Sequence, residues 1–193
     1  ILLHLTNTTS RKEAEIRLND YIKQLEISQM VDEELYQSTT LSEMLEDVAR
    51  MVHSQSLSDC VYVAMASDDT RELIVQSGVK IPDEIIHLPL DSTNLGHAVY
   101  ELKQPEWIQD ITKTKYKSIV EINTIVAAFP LIIRNTPLGV LVVESNIMSK
   151  MSLSVYEQLK ALSPRIAIAT NSILLQEKIE MLESRIESTL STK

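Results

Sequence analysis

The residue types that do chemistry are sparse here. The 193-residue chain holds one cysteine, one tryptophan and four histidines. Cys60 opens the run Cys60-Val61-Tyr62-Val63-Ala64-Met65-Ala66, the setting of a buried thiol rather than an exposed nucleophile. Alone, it makes neither an intramolecular disulfide nor a four-cysteine zinc site. His4, His53, His87 and His97 are never three or four positions apart, which excludes a two-histidine metal pair on one helix face. His97 falls on a short expected helix, where it can be a partly exposed helix histidine or a ligand contact. Asp110 follows a short strand; it can cap backbone amides in the next loop or anchor a polar ligand group at a pocket mouth. Trp107 can pack on a sheet or serve as a stacking platform. Tyr116 falls in a polar loop. Acidic clusters such as Asp32-Glu33-Glu34 read as solvated surface, and no EF-hand spacing is present.

These residues need elements to hold them, and the composition allows such elements. Apolar residues make up 44 % of the chain, the share of an ordinary globular domain with a sizeable core. With 27 acidic and 18 basic residues the net charge is -9, which argues against nucleic acid or an anionic membrane as the main partner. No stretch approaches the roughly 20 consecutive apolar residues of a membrane span, and no leader pattern opens the chain. The expectation is a reduced, cytoplasmic chain without membrane contact. Only 3 glycines leave little room for glycine-rich phosphate loops.

Residues 11–36 contain neither glycine nor proline, and Leu18, Tyr21 and Leu25 mark a narrow apolar seam after the capping cluster Thr6-Asn7-Thr8-Thr9-Ser10. A helix about 40 Å long is expected there. A second is expected over residues 40–54, with Leu41, Met44, Leu45, Val48 and Val52 on one face. Strands are expected at residues 60–66 and 73–75, joined by turn residues 67–70, and at residues 85–90. Asp91-Ser92-Thr93-Asn94 caps a helix over residues 95–102. A short strand at Trp107-Ile108 follows, then a polar loop over residues 113–118. Residues 124–133 and 138–144 read as strands joined by Arg134-Asn135-Thr136-Pro137. Both are apolar at successive positions, which calls for cover on both sheet faces.

The last helix is expected from a capping box, Ser154-Val155-Tyr156-Glu157, to about residue 189, bent early by Pro164. Beyond the proline a heptad places Ile168, Leu175 and Leu182 at d and Ser172, Ile179 and Ile186 at a. Lys178 then falls at g and Glu183 at the next e, a pair that favours two parallel strands of coil. One exposed pair is worth about 0–1 kcal/mol, so it biases orientation rather than driving assembly.

In sequence order these elements carry a resemblance. Leu88-Pro89-Leu90, Leu95-Gly96-His97-Ala98-Val99 and Gln104-Pro105-Glu106-Trp107-Ile108-Gln109-Asp110 look like the central stretch of a GAF domain. Ala128-Phe129-Pro130-Leu131-Ile132-Ile133 followed by Pro137-Leu138-Gly139-Val140-Leu141 is similar to that family's closing hairpin. Asn7-Thr8-Thr9-Ser10-Arg11-Lys12-Glu13-Ala14-Glu15 looks like the junction between a PAS domain and a signalling helix, with Asn7 where the family usually has aspartate.

The resemblance implies an α+β fold, a six-stranded antiparallel sheet with helices on both faces and long terminal helices. It divides the chain into a PAS-end and signalling helix (1–36), a GAF-like sensory domain (37–170) and a coiled-coil output helix (171–193). It implies a cytoplasmic sensory or dimerising role in bacterial or archaeal signalling proteins such as sensor histidine kinases. The implied ligand candidates are Tyr62, Asn94, His97, Trp107, Asp110, Tyr116, Ile119 and Phe129. The implied partners are an unknown small molecule and a second copy, paired through Leu18, Tyr21 and Leu25 and through the C-terminal heptad.

Enzyme readings within that family fare poorly. Its reductases of free methionine sulfoxide use several cysteines, whereas this chain has only Cys60. Cys60 also stands in the wrong place to attach a bilin. Haem on His97 is disfavoured, and the Asn-Lys-Phe-Asp-Glu constellation of cyclic-nucleotide binders is absent. A ligand-free spacer between an upstream sensor and a downstream kinase or cyclase is the alternative. If residues 113–121 pack Ile119 and Ile122 inward, they fill the pocket; an open polar-lined cavity favours sensing.

Overall fold

A computed structural model describes residues 40–56, 58–67, 72–82, 85, 87–88, 93–146 and 151–191. The expected N-terminal helix with Leu18, Tyr21 and Leu25, the PAS-like junction and the turn at residues 68–70 lie outside the described residues. Helix α1 covers Leu41–Ser56 and is capped by Thr40, whose Oγ1 accepts from the Glu43 amide at 3.3 Å. Strands β1 (Cys60–Ala66), β2 (Leu73–Val79) and β3 (His87–Leu88) follow, then α2 (Leu95–Leu102), β4 (Glu106–Ile108), a 3-10 turn (Ile111–Lys113), β5 (Ile125–Ile133), β6 (Thr136–Ser145) and α3 (Leu153–Ser191).

The strands form one antiparallel sheet in the order β3-β2-β1-β6-β5-β4. The chain therefore has the expected α+β architecture. At the hairpin between β5 and β6, Arg134 (φ 47°) and Asn135 (φ 72°) both take left-handed backbone, the requirement of a two-residue turn matched to strand twist. Thr136 and Pro137, expected in the turn, instead pair with Ile133 and Ile132. A Cβ on Gly139 would lie 2.3 Å from the Ala64 carbonyl oxygen, so the approach of β6 to β1 requires glycine.

Strand alternation divides the core in two. On one face Val61, Val63, Met65, Ile125, Ala127, Phe129, Leu131, Leu141 and Val143 pack under α1 and α3. On the other, Cys60, Tyr62, Ala64, Val126, Ala128, Val140 and Val142 meet Leu95 and Val99 of α2. Each large apolar side chain so buried is worth about 1.5–3 kcal/mol.

Two further expectations are corrected or refined. Strand β2 extends to Val79; of the third extended piece His87–Leu88 form a strand, and residues 86, 89 and 90 lie outside the described residues. Helix α3 begins at Leu153, and its cap is Ser152, whose Oγ accepts from the Val155 amide at 3.3 Å. Ser154 and Glu157 therefore lie inside the helix instead of forming its capping box. As expected, the helix continues through Pro164. Proline cannot donate to the Lys160 carbonyl four residues back, and the Ser163 hydroxyl donates to that carbonyl instead, at 3.2 Å.

Candidate functional site

Between the 3-10 turn and β5, residues 114–123 form an irregular strap over the α2 side of the sheet. The Lys117 amide donates to the Thr93 carbonyl at 2.8 Å, tying the strap to the entrance of α2. Tyr116, Ile119 and Val120 pack against the core cluster of this face, whereas Ile122 is 69 % exposed. Of the two side chains expected to pack inward, Ile119 does so and Ile122 does not.

The strap is held from below by a carboxylate. Val140, Val142 and Glu144 are alternate residues of β6 and share one face; Glu144 is 1 % exposed. The Ser118 hydroxyl lies in hydrogen-bond contact with Glu144 Oε2. The Ile119 amide donates to Oε1 at 3.1 Å, and the Val120 amide donates to Oε2 at 3.3 Å. Burial raises the Glu144 carboxyl above its ordinary range, opposed by the Ser118, Ile119 and Val120 donors. Beside it Asn123 is 1 % exposed, and neither its Oδ1 nor its Nδ2 makes a hydrogen bond. Its amide nonetheless stands near enough to favour the charged form of Glu144.

The neighbours of this carboxylate register it. Cys60 is directly opposite Glu144 in the β1–β6 ladder. Burial, then Glu144, then Asp59 push its thiol up to about 12, so it stays protonated at neutral pH. The Tyr62 hydroxyl is likewise raised, first by burial and then by Glu144.

The sequence candidates separate accordingly. Tyr62, Tyr116 and Ile119 belong to the cluster under α2 and the strap. Asn94 caps α2, its Oδ1 accepting from the His97 amide at 2.9 Å. A Cβ at Gly96 would crowd the capping Asn94 Oδ1 at 3.1 Å and would make ordinary contact, at 3.4 Å, with Val140 and Val142. His97 points along its own helix, with Nε2 3.9 Å from Glu101 Oε1.

Asp110 is a loop cap. It accepts from the Thr112 amide at 3.2 Å and pairs with Lys113 Nζ at 2.8 Å. Its carboxyl is lowered by the Lys113 and Thr112 hydrogen bonds. It also borders an open depression of about 600 Å³ shared with Gln109, Thr124 and Asn146. Trp107 and Phe129 lie on the opposite face. Both rings meet Tyr156 of α3, at centroid distances of 5.4 and 5.3 Å. Pairing of Trp107 with Ala127 in the ladder gives β4 the same facing as Phe129, so neither residue joins the strap-side cluster. Sequence reasoning missed Glu144, Asn123 and Ser118; the available signal was a charge two residues beyond Val142 in an apolar strand.

Beyond the sheet, α3 changes character. Leu159, Leu162, Ile166 and Ala167 are buried against it, whereas Ile168, Leu175, Ile179, Leu182 and Ile186 are between 49 % and 59 % exposed. The Ser172 hydroxyl bonds back to the Ile168 carbonyl at 3.0 Å. Among the described residues, no helix is long and apolar enough to cross a membrane.

No protein-family model matches the sequence, and no curated protein matches it. Solved structures do match in shape. The GAF domain of a phosphoenolpyruvate-protein phosphotransferase from Coxiella burnetii aligns with a TM-score of 0.73 at 16 % identity, over 81 % of this chain and 98 % of that one. Its counterpart from Acinetobacter aligns at 0.71 and 16 %, over the same shares. Free methionine-R-sulfoxide reductase from Neisseria meningitidis, in complex with its substrate, aligns at 0.71 and 12 %, over 79 % of this chain and 91 % of that one. Sheet order, two-sided cover and these alignments together give the chain the fold of GAF domains.

Proposed function

We propose that residues 37–170 form a regulatory sensory domain of a signalling protein such as a histidine kinase. In this reading a small molecule binds between the sheet and the α2–strap cover, and its occupancy is relayed through α3 to a parallel second copy. The carrying observation is the continuity of α3. Its first part is packed into the core, and the same helix continues with a half-exposed apolar row at heptad spacing. The N-terminal seam of Leu18, Tyr21 and Leu25 would extend that dimer, and the chain would work in the cytoplasm. A ligand acts only through unequal affinity for two arrangements of this helix.

A non-enzymatic role fits the single cysteine, which is buried and has a thiol raised to about 12; that group is a poor reductant or nucleophile at neutral pH. The ligand-free spacer draws support from Ile119, which packs where a ligand would sit.

Native followed by denaturing mass spectrometry of the purified chain separates the two readings. A dimer with extra mass that is lost on denaturation supports sensing, and a bare dimer supports the spacer. A bare monomer at micromolar concentration overturns the relay. Ser172→Leu should strengthen association by on the order of 1 kcal/mol per chain by filling a polar a position. Sedimentation equilibrium would read the change, and an unaltered dimer constant would remove Ser172 from the interface.

A further inference from the structure

We propose that Glu144 and Asn123 form the polar end of a subsite for a small organic cation, an ammonium, amidinium or guanidinium on an apolar body. On binding, this ligand displaces residues 118–120 of the strap. The inference rests on the regulatory reading and names the ligand class of the same face.

Three observations converge on it. First, Glu144 is 1 % exposed and satisfied by neutral donors from Ser118, Ile119 and Val120. Among the described residues no lysine, arginine or histidine pairs with it. A buried carboxylate gains most from a partner of opposite charge with parallel donors. Second, Asn123 is equally buried; its amide stands beside that carboxylate and favours its charged form, and its Oδ1 has no hydrogen-bond partner. A bound N–H can use this Oδ1. Buried polar groups in folded proteins are overwhelmingly paired, so an orphan of this kind calls for a partner.

Third, the surroundings suit an apolar body. The floor is Tyr62, Ala128 and Val142, one wall is Leu95 and Val99, and the roof is made by Ile119 and Val120 of the strap. The two residues that close the roof, together with Ser118, also supply the donors to Glu144. Exchange of those donors for a ligand's N–H groups would therefore open the roof in the same event. The free strap thus holds the place of the ligand, and binding is an exchange of partners at one carboxylate rather than the filling of a void.

The test uses the 193-residue chain with three probes: benzamidine, phenethylamine and, as a matched anion, benzoate. Calorimetry should show binding of at least one cation and none of benzoate. Glu144→Gln keeps the shape and an acceptor while removing the charge, and should weaken cation binding at least about tenfold. Asn123→Ala should weaken it severalfold. The Ile119 and Val120 amides should exchange faster with the cation bound, even as the rest of the sheet is protected.

Equal binding of benzoate, undiminished binding by Glu144→Gln, or no binding of either cation at millimolar concentration would overturn the cation. Native mass spectrometry of the same samples keeps this failure apart from failure of the regulatory reading. A retained uncharged molecule sinks the cation alone. A bound cation that leaves α3 association unchanged sinks the relay alone.

Discussion

The face of the sheet under α1 and α3 is held by apolar and aromatic packing, with Phe129 and Trp107 each in ring contact with Tyr156. The face under α2 has a comparable apolar floor, but part of its cover is an irregular strap tied to Glu144. The difference lies in what each cover would lose if it lifted. Removing α3 would expose a large apolar area all at once, a cost of many kilocalories that ties it to global unfolding. Lifting residues 118–120 would break three hydrogen bonds whose donors could turn to water, a cost in the range of local opening. One face is therefore suited to stability and the other to response.

That contrast can be broken most directly on the closed face. Phe129→Ala should cost about 3–5 kcal/mol by leaving a cavity beneath Tyr156, read as a lower urea midpoint with the slope preserved. A loss below about 1 kcal/mol would mean that this face is as adaptable as the other.

On the strap face, Glu144→Ala should cost less, about 1–3 kcal/mol, by stranding the Ser118, Ile119 and Val120 donors. Its signature is local: hydrogen exchange at Ile119 and Val120 should accelerate more than exchange in β5 or β6. Uniform acceleration across the sheet would make Glu144 part of the global core.

The smallest expected effect is with pH. Because burial raises the Glu144 carboxyl in the folded chain, the native state binds its proton more tightly than the unfolded chain does. This group's contribution is therefore fully present below the ordinary carboxylate range and is lost as pH rises through the raised folded value. The slope cannot exceed about 1.4 kcal/mol per pH unit for one proton. Urea titrations across this window, with Glu144→Gln as the comparison, should show the decline in the wild type and a flatter profile in the variant. Coincident profiles would show that the strap donors fully offset the burial.

Much of the fold could be read from patterns that act over a few residues. The Asn94 cap and the residues after it specify α2 at the expected bounds, Leu95–Leu102. The apolar runs of β1, β5 and β6 and the need to cover both faces were legible for the same reason. What local pattern could not supply was facing. Strand β5 is buried from Ile125 through Leu131, so its sequence has no alternation to show which side Phe129 takes. Ladder register with Trp107 and β6 settles that, and register is a tertiary fact. Glu144 misled in the opposite sense: a charge near the end of an apolar strand reads as an exit to solvent. Its burial depends on a strap more than 20 residues earlier in the chain. Among the candidates, Tyr62, Tyr116 and Ile119 were placed by their elements on the strap face; Asp110 and Asn94 were placed, but as caps.

The pairing of β1 with β6 has a consequence for how the molecule assembles. The turn at Arg134 and Asn135 lets β5 and β6 meet almost as soon as both have been synthesised. In contrast, the Ser145 hydroxyl reaches Asp59 Oδ2 at 3.1 Å across a sequence separation of 86 residues. Closing that long loop forfeits chain entropy before β1–β6 contacts repay it. The local hairpin should therefore form early and wait for β1, and the Asp59–Ser145 contact should report the late step that completes the sheet's centre.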